Sequence, residues 1–270
     1  MRHTPRKRFG QNFLVDTRVV ADIISVIHPA KDDQLVEIGP GLGALTRPLL
    51  QSVHHLQVVE IDRDIVERLR QEFPAERLTI YSTDALEFDF SLLGKNLRVV
   101  GNLPYNISTP ILFHLSCFAE SIHDMHFMLQ KEVVARMVAA PSTPDYGRLS
   151  VMLQCQFEIE KLFAVPPESF HPAPKVESAI VRMSPRREAL IEPDKGNLFA
   201  KIVSAAFSQR RKTLRNTLHA HLRPEDFIAL DIDPRMRAEN LSIAHFAAIT
   251  DHLVAHERGK LDLRISAESL

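Results

Sequence analysis

The sequence predicts an α/β protein: a parallel sheet with helices on both faces, followed by a small all-α domain. Three observations predict it. Short apolar runs of strand length alternate with amphipathic helical runs from Gln34 to Ala139, the pattern of crossover units and parallel pairing. The first of those strands enters a turn with glycines at 39, 41 and 43, where the backbone can double back sharply. Beyond residue 187 strand character gives way to helical periodicity alone. A chain of 270 residues is long for one core, so a boundary near residue 187 divides it into 1–187 and 188–270.

Asp16 is a good N-cap, and Val19, Val20, Ile23, Ile24 and Ile27 form one helical stripe that Pro29 ends. Residues 34–39 read as a buried strand and 43–53 as a helix. Residues 56–62 read as a strand, and 63–73 as a helix with Ile65, Val66, Leu69 and Phe73 on one face. Strands follow at 78–84, 97–102 and 125–130, with helices after Ser108 and over 131–139. Two more strands, "LFAVPP" and residues 178–183, flank the Pro-rich "PPESFHPAPKV", which reads as a long active-site loop. In the second domain Leu198, Phe199, Ile202, Val203, Ala206 and Phe207 form an apolar stripe. Shorter helical runs follow at 224–230 and 242–256.

The formal charge of −1 excludes a polycation, so any nucleic-acid surface must come from clustering of the 33 Lys and Arg. Cys117 and Cys155 lie in apolar stretches without CxxC spacing and read as reduced core thiols. The basic N-terminus lacks the apolar segment of a secretory leader, and no run is long enough to span a bilayer. A cytoplasmic protein, away from membranes, is expected. The 13 histidines are scattered, and His123 and His126 fall on opposite faces of a strand, so no metal site is expected in the chain.

The glycine turn points to a nucleotide-like ligand, because such sheets bind ligands at the carboxyl ends of their strands. "GPGLGA" satisfies the dinucleotide fingerprint, with Glu60 about where a ribose-binding acid belongs. A nicotinamide cofactor therefore remains open at this point. Three details favour S-adenosylmethionine. Glu37 precedes the first glycine and could engage a cationic methionine moiety. Pro40 removes one loop N–H, which suits a ligand without a pyrophosphate. Asp84, followed by Ala85, closes the third of these strands, where a carboxylate can accept from an adenine amine. Glu37, Gly39, Glu60 and Asp84 each end or follow a successive strand on one edge.

"NLPY", Asn102 to Tyr105, follows the next strand on the same edge. An exocyclic adenine amine is a poor nucleophile, because its lone pair is delocalised into the ring. Acceptors aimed at its N–H groups would draw it toward a tetrahedral geometry. The Asn102 oxygen is one acceptor, and the carbonyl of Leu103 or Pro104 is another, aimed by the fixed φ of proline. The Tyr105 ring can stack on an extruded base. No strong general base is needed if the amine sheds its proton after methylation, so transfer depends mainly on in-line placement.

"RFGQNFL", "VEIGPGLGALT", "NLPYNIS", "LQKEVV", Phe170 with "PKV", and "QRRKT" followed by "RN" resemble the ribosomal RNA adenine dimethyltransferase family, over Arg8 to about Asn240. The likeness is greatest to its bacterial members acting on small-subunit rRNA. The resemblance implies a Rossmann-like class I methyltransferase sheet and S-adenosyl-L-methionine as cofactor. It further implies dimethylation of N6 on two adjacent adenosines in the hairpin loop near the small-subunit (16S) rRNA 3′ end, and a role in assembly of the 30S subunit. Carried over by position, Gln11, Asn12 and Leu14 would cover the cofactor, and Gly39 and Gly41 would line its methionine end. Glu60, with Ile61 beside it, would hold the ribose, and Asp84 with Ala85 the adenine. Asn102 and the carbonyl before or at Pro104 would orient the target amine. Tyr105 and Phe170 would stack on its two faces.

Arg210, Arg211, Lys212 and Arg215 lie within six residues, read here as one helix. Arg6, Lys7 and Arg8 form a second basic cluster, next to Phe9 and Phe13. Concentrating cations in two places of a near-neutral chain suits phosphate tracking, and Arg148 and Lys175 would extend that surface. A nicotinamide oxidoreductase would leave the NLPY turn and the basic cluster without a role. A non-catalytic RNA-binding assembly factor would leave Glu60, Asp84 and Asn102 without one. A DNA adenine methyltransferase is disfavoured by the C-terminal "QRRKT" and "RN" motifs and by the absence of a large target-recognition domain from these 270 residues. A monomer is expected, since no exposed apolar stripe demands a partner.

Overall fold

The computed structural model describes residues 12–268, with side chains as far as residue 256. Arg6, Lys7, Arg8 and Gln11 lie outside the described residues. The chain divides into two units. One runs to Ala135 and resumes over Phe157–Pro185; the other takes Arg136–Gln156 and everything from Arg186.

The first unit begins with a short strand β1 (Phe13–Leu14) and helix α1 (Thr17–Ile27). Asp16 caps α1 through its carboxylate, which accepts from the Arg18 and Val19 amides at 2.9 and 3.4 Å. Then follow β2 (Gln34–Ile38), α2 (Thr46–Ser52), β3 (Leu56–Val59), α3 (Arg63–Glu72), β4 (Leu78–Tyr81), β5 (Leu97–Asn102), α4 (Ser108–Ser116), β6 (Ile122–Gln130) and α5 (Lys131–Met137). The unit closes with β7 (Phe157–Val165), β8 (Phe170–His171) and β9 (Ser178–Pro185).

Seven strands form one sheet in the order β4-β3-β2-β5-β6-β9-β7. Pairing is parallel from β4 to β6, and β9 runs antiparallel to both β6 and β7. The expected parallel sheet thus carries one reversed strand, because the Pro-rich loop returns the chain without a crossover helix. The order reverses between β2 and β5, which opens a crevice at their carboxyl ends. Leu35, Leu49, Leu56, Val58, Ile65 and Leu69 form part of the core on one face, each contributing roughly 1.5–3 kcal/mol by leaving water. A second sheet pairs Phe13 with His171 and Leu14 with Phe170.

The predicted helix over 43–53 begins only at Thr46, because Gly43 takes a left-handed φ of 81° in the preceding turn. Residues 60–62 lie beyond β3, which leaves Glu60 at a strand exit.

The second unit is helical: α6 (Arg148–Gln154), α7 (Gly196–Ala206), α8 (Leu214–Thr217), α9 (Pro224–Ala229) and α10 (Ile243–Glu268). Tyr146, Val151 and Cys155 share a buried cluster with Phe199, Ile202, Val203, Leu214, Phe227 and Phe246. That apolar face places 136–156 in this unit, where a single boundary near 187 assigned it to the first. No composition shift marks the excursion. Cys155 is buried, and burial pushes its thiol up to about 12. Cys117, expected in a core, is exposed.

The four basic residues 210, 211, 212 and 215 do not share one helix. α7 stops at Ala206, turns occupy 207–212, and only Arg215 is helical, in α8. Thr213 is extended at φ −77° and ψ 161°. The Leu214 and Arg215 amides donate to Met236 and Pro234 carbonyls at 2.8 and 3.0 Å. This bend drives Leu214 into the core and leaves all four cations exposed.

Candidate active site at the carboxyl edge of the sheet

The loop after β2 folds over the strand ends. The Gly39 amide donates to the Val59 carbonyl at 3.0 Å, and the Gly43 amide to the Pro40 carbonyl at 2.9 Å. Gly41 has a φ of 54°, and a Cβ there would stand 3.2 Å from the Phe13 ring. Positive φ and close approach both favour glycine at this position. Arg47 holds the loop from behind, donating to the Gly43 carbonyl at 3.0 Å and to both Glu72 oxygens at 2.6 and 2.9 Å.

Acidic and amide side chains gather where β2, β3, β4 and β5 end. Glu37 is buried at 2 % exposure, and its Oε2 accepts from Thr46 Oγ1 at 2.6 Å. Burial pushes its carboxyl up to about 7, with the Thr46 hydrogen bond opposing and Glu60 adding to the rise. Glu60 is also buried, and burial raises it to about 7 against backbone hydrogen bonds from Asp62, Gly41 and Ile61. Asp84 accepts from the Leu86 amide at 2.9 Å, a turn that fixes it past β4. These carboxyls line a cavity of about 260 Å³ together with Asn12, Leu14, Gly39, Gly41, Ile61, Ala85, Asn102, Leu103, Pro104 and Tyr105.

The donor set fits S-adenosylmethionine. Two buried carboxyls with raised affinity for protons suit a ligand that brings positive charge. Acceptors at successive strand ends suit ribose hydroxyls and an adenine amine.

The NLPY turn completes one wall. In β5, a Cβ on Gly101 would lie 2.5 Å from the Ile38 carbonyl oxygen, so glycine is what lets β2 and β5 approach here. Asn102 Nδ2 donates to the Asn12 carbonyl at 3.0 Å, which leaves Asn102 Oδ1 as an acceptor. The Leu103 side chain is buried, while its amide donates to the Met128 carbonyl at 3.2 Å. The Pro104 carbonyl accepts from the Ile107 amide at 3.1 Å. Tyr105 Oη and Ser178 Oγ are 2.7 Å apart, which ties the ring to β9.

Phe170 is a correction. Its ring is 4 % exposed and packs in the core cluster with Leu14, opposite which it sits in the β1–β8 pair. It does not line the cavity and offers no open face for stacking. The cavity wall also includes Phe13, Thr83, Asn106 and Ile107. Thr83 and Asn106 adjoin the motifs, and only adjacency could have signalled them. Arg148 opens α6 in the second unit and Lys175 precedes β9 in the first, both exposed. Among the described residues no helix is long and apolar enough to cross a membrane.

The family model for ribosomal RNA adenine dimethylase matches residues 2–254. The chain is 69% identical over 252 residues to ribosomal RNA small subunit methyltransferase A of Nitrosospira multiformis, covering 93% of this chain and 97% of that one. It is 63% identical over 251 residues to the protein of the same name from Thiobacillus denitrificans, covering 93% and 98%. A dimethyladenosine transferase structure from Plasmodium falciparum shares the fold, with TM-score 0.73, 24% identity and coverage of 92% and 98%. So does the 23S rRNA methyltransferase ErmE, with TM-score 0.70, 25% identity and coverage of 90% and 99%. The chain belongs to the ribosomal RNA adenine dimethylase family and is an S-adenosylmethionine-dependent rRNA adenine methyltransferase.

Proposed function

We propose that the chain dimethylates N6 of two adjacent adenosines in the 3′-terminal hairpin loop of small-subunit rRNA, acting on the immature 30S particle as a cytoplasmic monomer. The names of the relatives support the choice of subunit. The observation that carries the chemistry is the Asn102 amide, whose nitrogen is committed to the Asn12 carbonyl at 3.0 Å. Its oxygen then accepts from one N–H of the target amine, and the Leu103 or Pro104 carbonyl accepts from the other. Two acceptors draw the nitrogen lone pair out of conjugation. Tyr105 stacks on the base, held from the far side by Ser178.

When bound, S-adenosylmethionine supplies an electrophilic methyl carbon on a sulfonium. Glu37, Gly39 and Gly41 hold its methionine end. Glu60 accepts from the ribose hydroxyls, and Asp84 accepts from the adenine amine between Ile61 and Ala85. Asn12 and Leu14 cover it. After each transfer the cationic target nitrogen loses its proton to solvent. Because no strong general base is needed, in-line placement of amine, methyl carbon and sulfonium is the main contribution to rate.

Exposed Arg148, Lys175, Arg210, Arg211, Lys212 and Arg215 contact phosphates, with Arg6, Lys7 and Arg8 adding to them. Primer extension on small-subunit rRNA tests the placement, since dimethylation removes the adenine N–H groups that reverse transcription reads. An enzyme-dependent stop at the 3′ member of the adenosine pair in the 3′-terminal hairpin is expected. Stops elsewhere, or in large-subunit rRNA, would refute the substrate.

A further inference from the structure

Two imidazoles and one carboxylate converge in the second unit, and none of the three belongs to the methyl-transfer site. His252 and His256 stand four residues apart on α10, so they share one helix face. Both rings point at Asp226 of α9: His252 Nε2 is 2.8 Å and His256 Nε2 is 3.7 Å from Asp226 Oδ1. One candidate ligand atom from each residue lies within 4.8 Å of the others. We propose that these three side chains bind a divalent transition metal of the zinc class and so fasten α10 to α9.

The donor set supports this choice. Two neutral imidazoles with one carboxylate suit zinc and its neighbours, whereas magnesium and calcium favour all-oxygen sites. Asp226 is oriented for the task, because its other oxygen, Oδ2, accepts from the Arg223 amide at 2.7 Å. Such outer hydrogen bonds fix the ligands of metal sites. Among the described residues no Lys or Arg side chain pairs with Asp226; the side chains that approach its Oδ1 are the two imidazoles.

The two separations from Asp226 need little adjustment. Ligand atoms about 2.0–2.1 Å from a tetrahedral zinc stand about 3.3 Å apart. The 2.8 Å separation of His252 from Asp226 would open by roughly half an ångström, and the 3.7 Å separation of His256 would close by as much. Asp226 and His252 side chains are 10% and 19% exposed, while His256 is 60% exposed. The buried pair gives a defined site, and the exposed ring gives an entry path and a fourth position open to water. The histidine spacing is legible in the chain, but Asp226 is brought to it only by the fold of α9 against α10.

The test is a zinc titration of the chelator-treated full-length protein against a chromophoric competitor, with His252→Ala and His256→Ala in parallel. His256→Ala removes an exposed side chain, so its fold is checked readily by circular dichroism. The wild type is expected to take one more equivalent of zinc at about micromolar free metal than either variant, with affinity at that site falling at least about tenfold in each. Cobalt substitution is expected to give visible absorption in the wild type that both changes abolish. Equal uptake by wild type and either variant, or no uptake by wild type, would overturn the proposal and leave a hydrogen-bonded His–Asp clamp.

Discussion

Asn102 Nδ2 donates to the backbone carbonyl of Asn12 at 3.0 Å, across 90 residues of chain. The bond settles which end of the Asn102 amide is free, and the free end is the oxygen. Asn102→Asp would replace the donor by a second acceptor facing that carbonyl. We expect kcat to fall about 10²-fold or more, in the range seen when one preorganised polar group is removed, with a smaller effect on cofactor affinity. Steady-state kinetics beside equilibrium binding separate the two.

Gly101→Ala is expected to destabilise the first unit. Its Cβ would stand 2.5 Å from the Ile38 carbonyl oxygen, and backbone on both strands must move. Overpacking of this kind costs about 1–3 kcal/mol, occasionally more. Denaturant unfolding monitors it through a lower midpoint at unchanged slope.

The raised carboxyls predict proton release on cofactor binding. Glu37 and Glu60 both sit at about 7 in the free protein, so each is partly protonated near neutrality. A cationic ligand favours the ionised form and expels those protons. Calorimetry at pH 7 in buffers of different ionisation enthalpy is expected to show release, and Glu60→Gln to reduce it. The same groups bind more protons folded than unfolded between about 4.5 and 7. Their contribution to stability therefore falls as pH rises through that window and is flat above it.

His126 pulls the other way. It is buried in β6 with neither ring nitrogen hydrogen-bonded, and burial depresses it from 6.5 to about 4. The unfolded chain binds this proton first, so stability is lost as pH falls from about 6.5 to 4. At pH 5 the loss amounts to about 2 kcal/mol. His126→Phe is expected to narrow the stability difference between pH 5 and pH 7.5, measured by urea unfolding.

Neutralising the exposed cations is expected to weaken rRNA binding uniformly and flatten its salt dependence. Removing any one phosphate-binding cation among Arg210, Arg211, Lys212 and Arg215 should reduce the slope of log K against log salt by about 0.7–0.9. Filter binding across a salt series reads the slope directly.

Much of the site was legible because strand–helix alternation puts the ends of parallel strands on one edge. Glu37, Glu60, Asp84 and Asn102 could be ranked along that edge by counting strands, and all four line one cavity. Long-range packing was not legible. Phe170 has the sequence setting of a loop aromatic free to stack, but pairing of residues 13–14 with 170–171 buries it. The basic run has helical spacing because Leu214 continues the apolar stripe. The Leu214 amide bonds to Met236, remote in sequence, and the chain bends instead. The excursion of 136–156 into the second unit likewise depends on Tyr146 and Val151 finding Phe199 and its neighbours.

The most direct measurement uses radiolabelled-methyl S-adenosylmethionine, small ribosomal subunits lacking the modification, and wild type beside Asn102→Ala. Nucleosides from the digested rRNA are then separated. Label in N6,N6-dimethyladenosine with wild type, abolished with the variant, is the predicted result. Label in any other nucleoside, or equal label from the variant, would contradict the assignment of the NLPY turn to adenine N6.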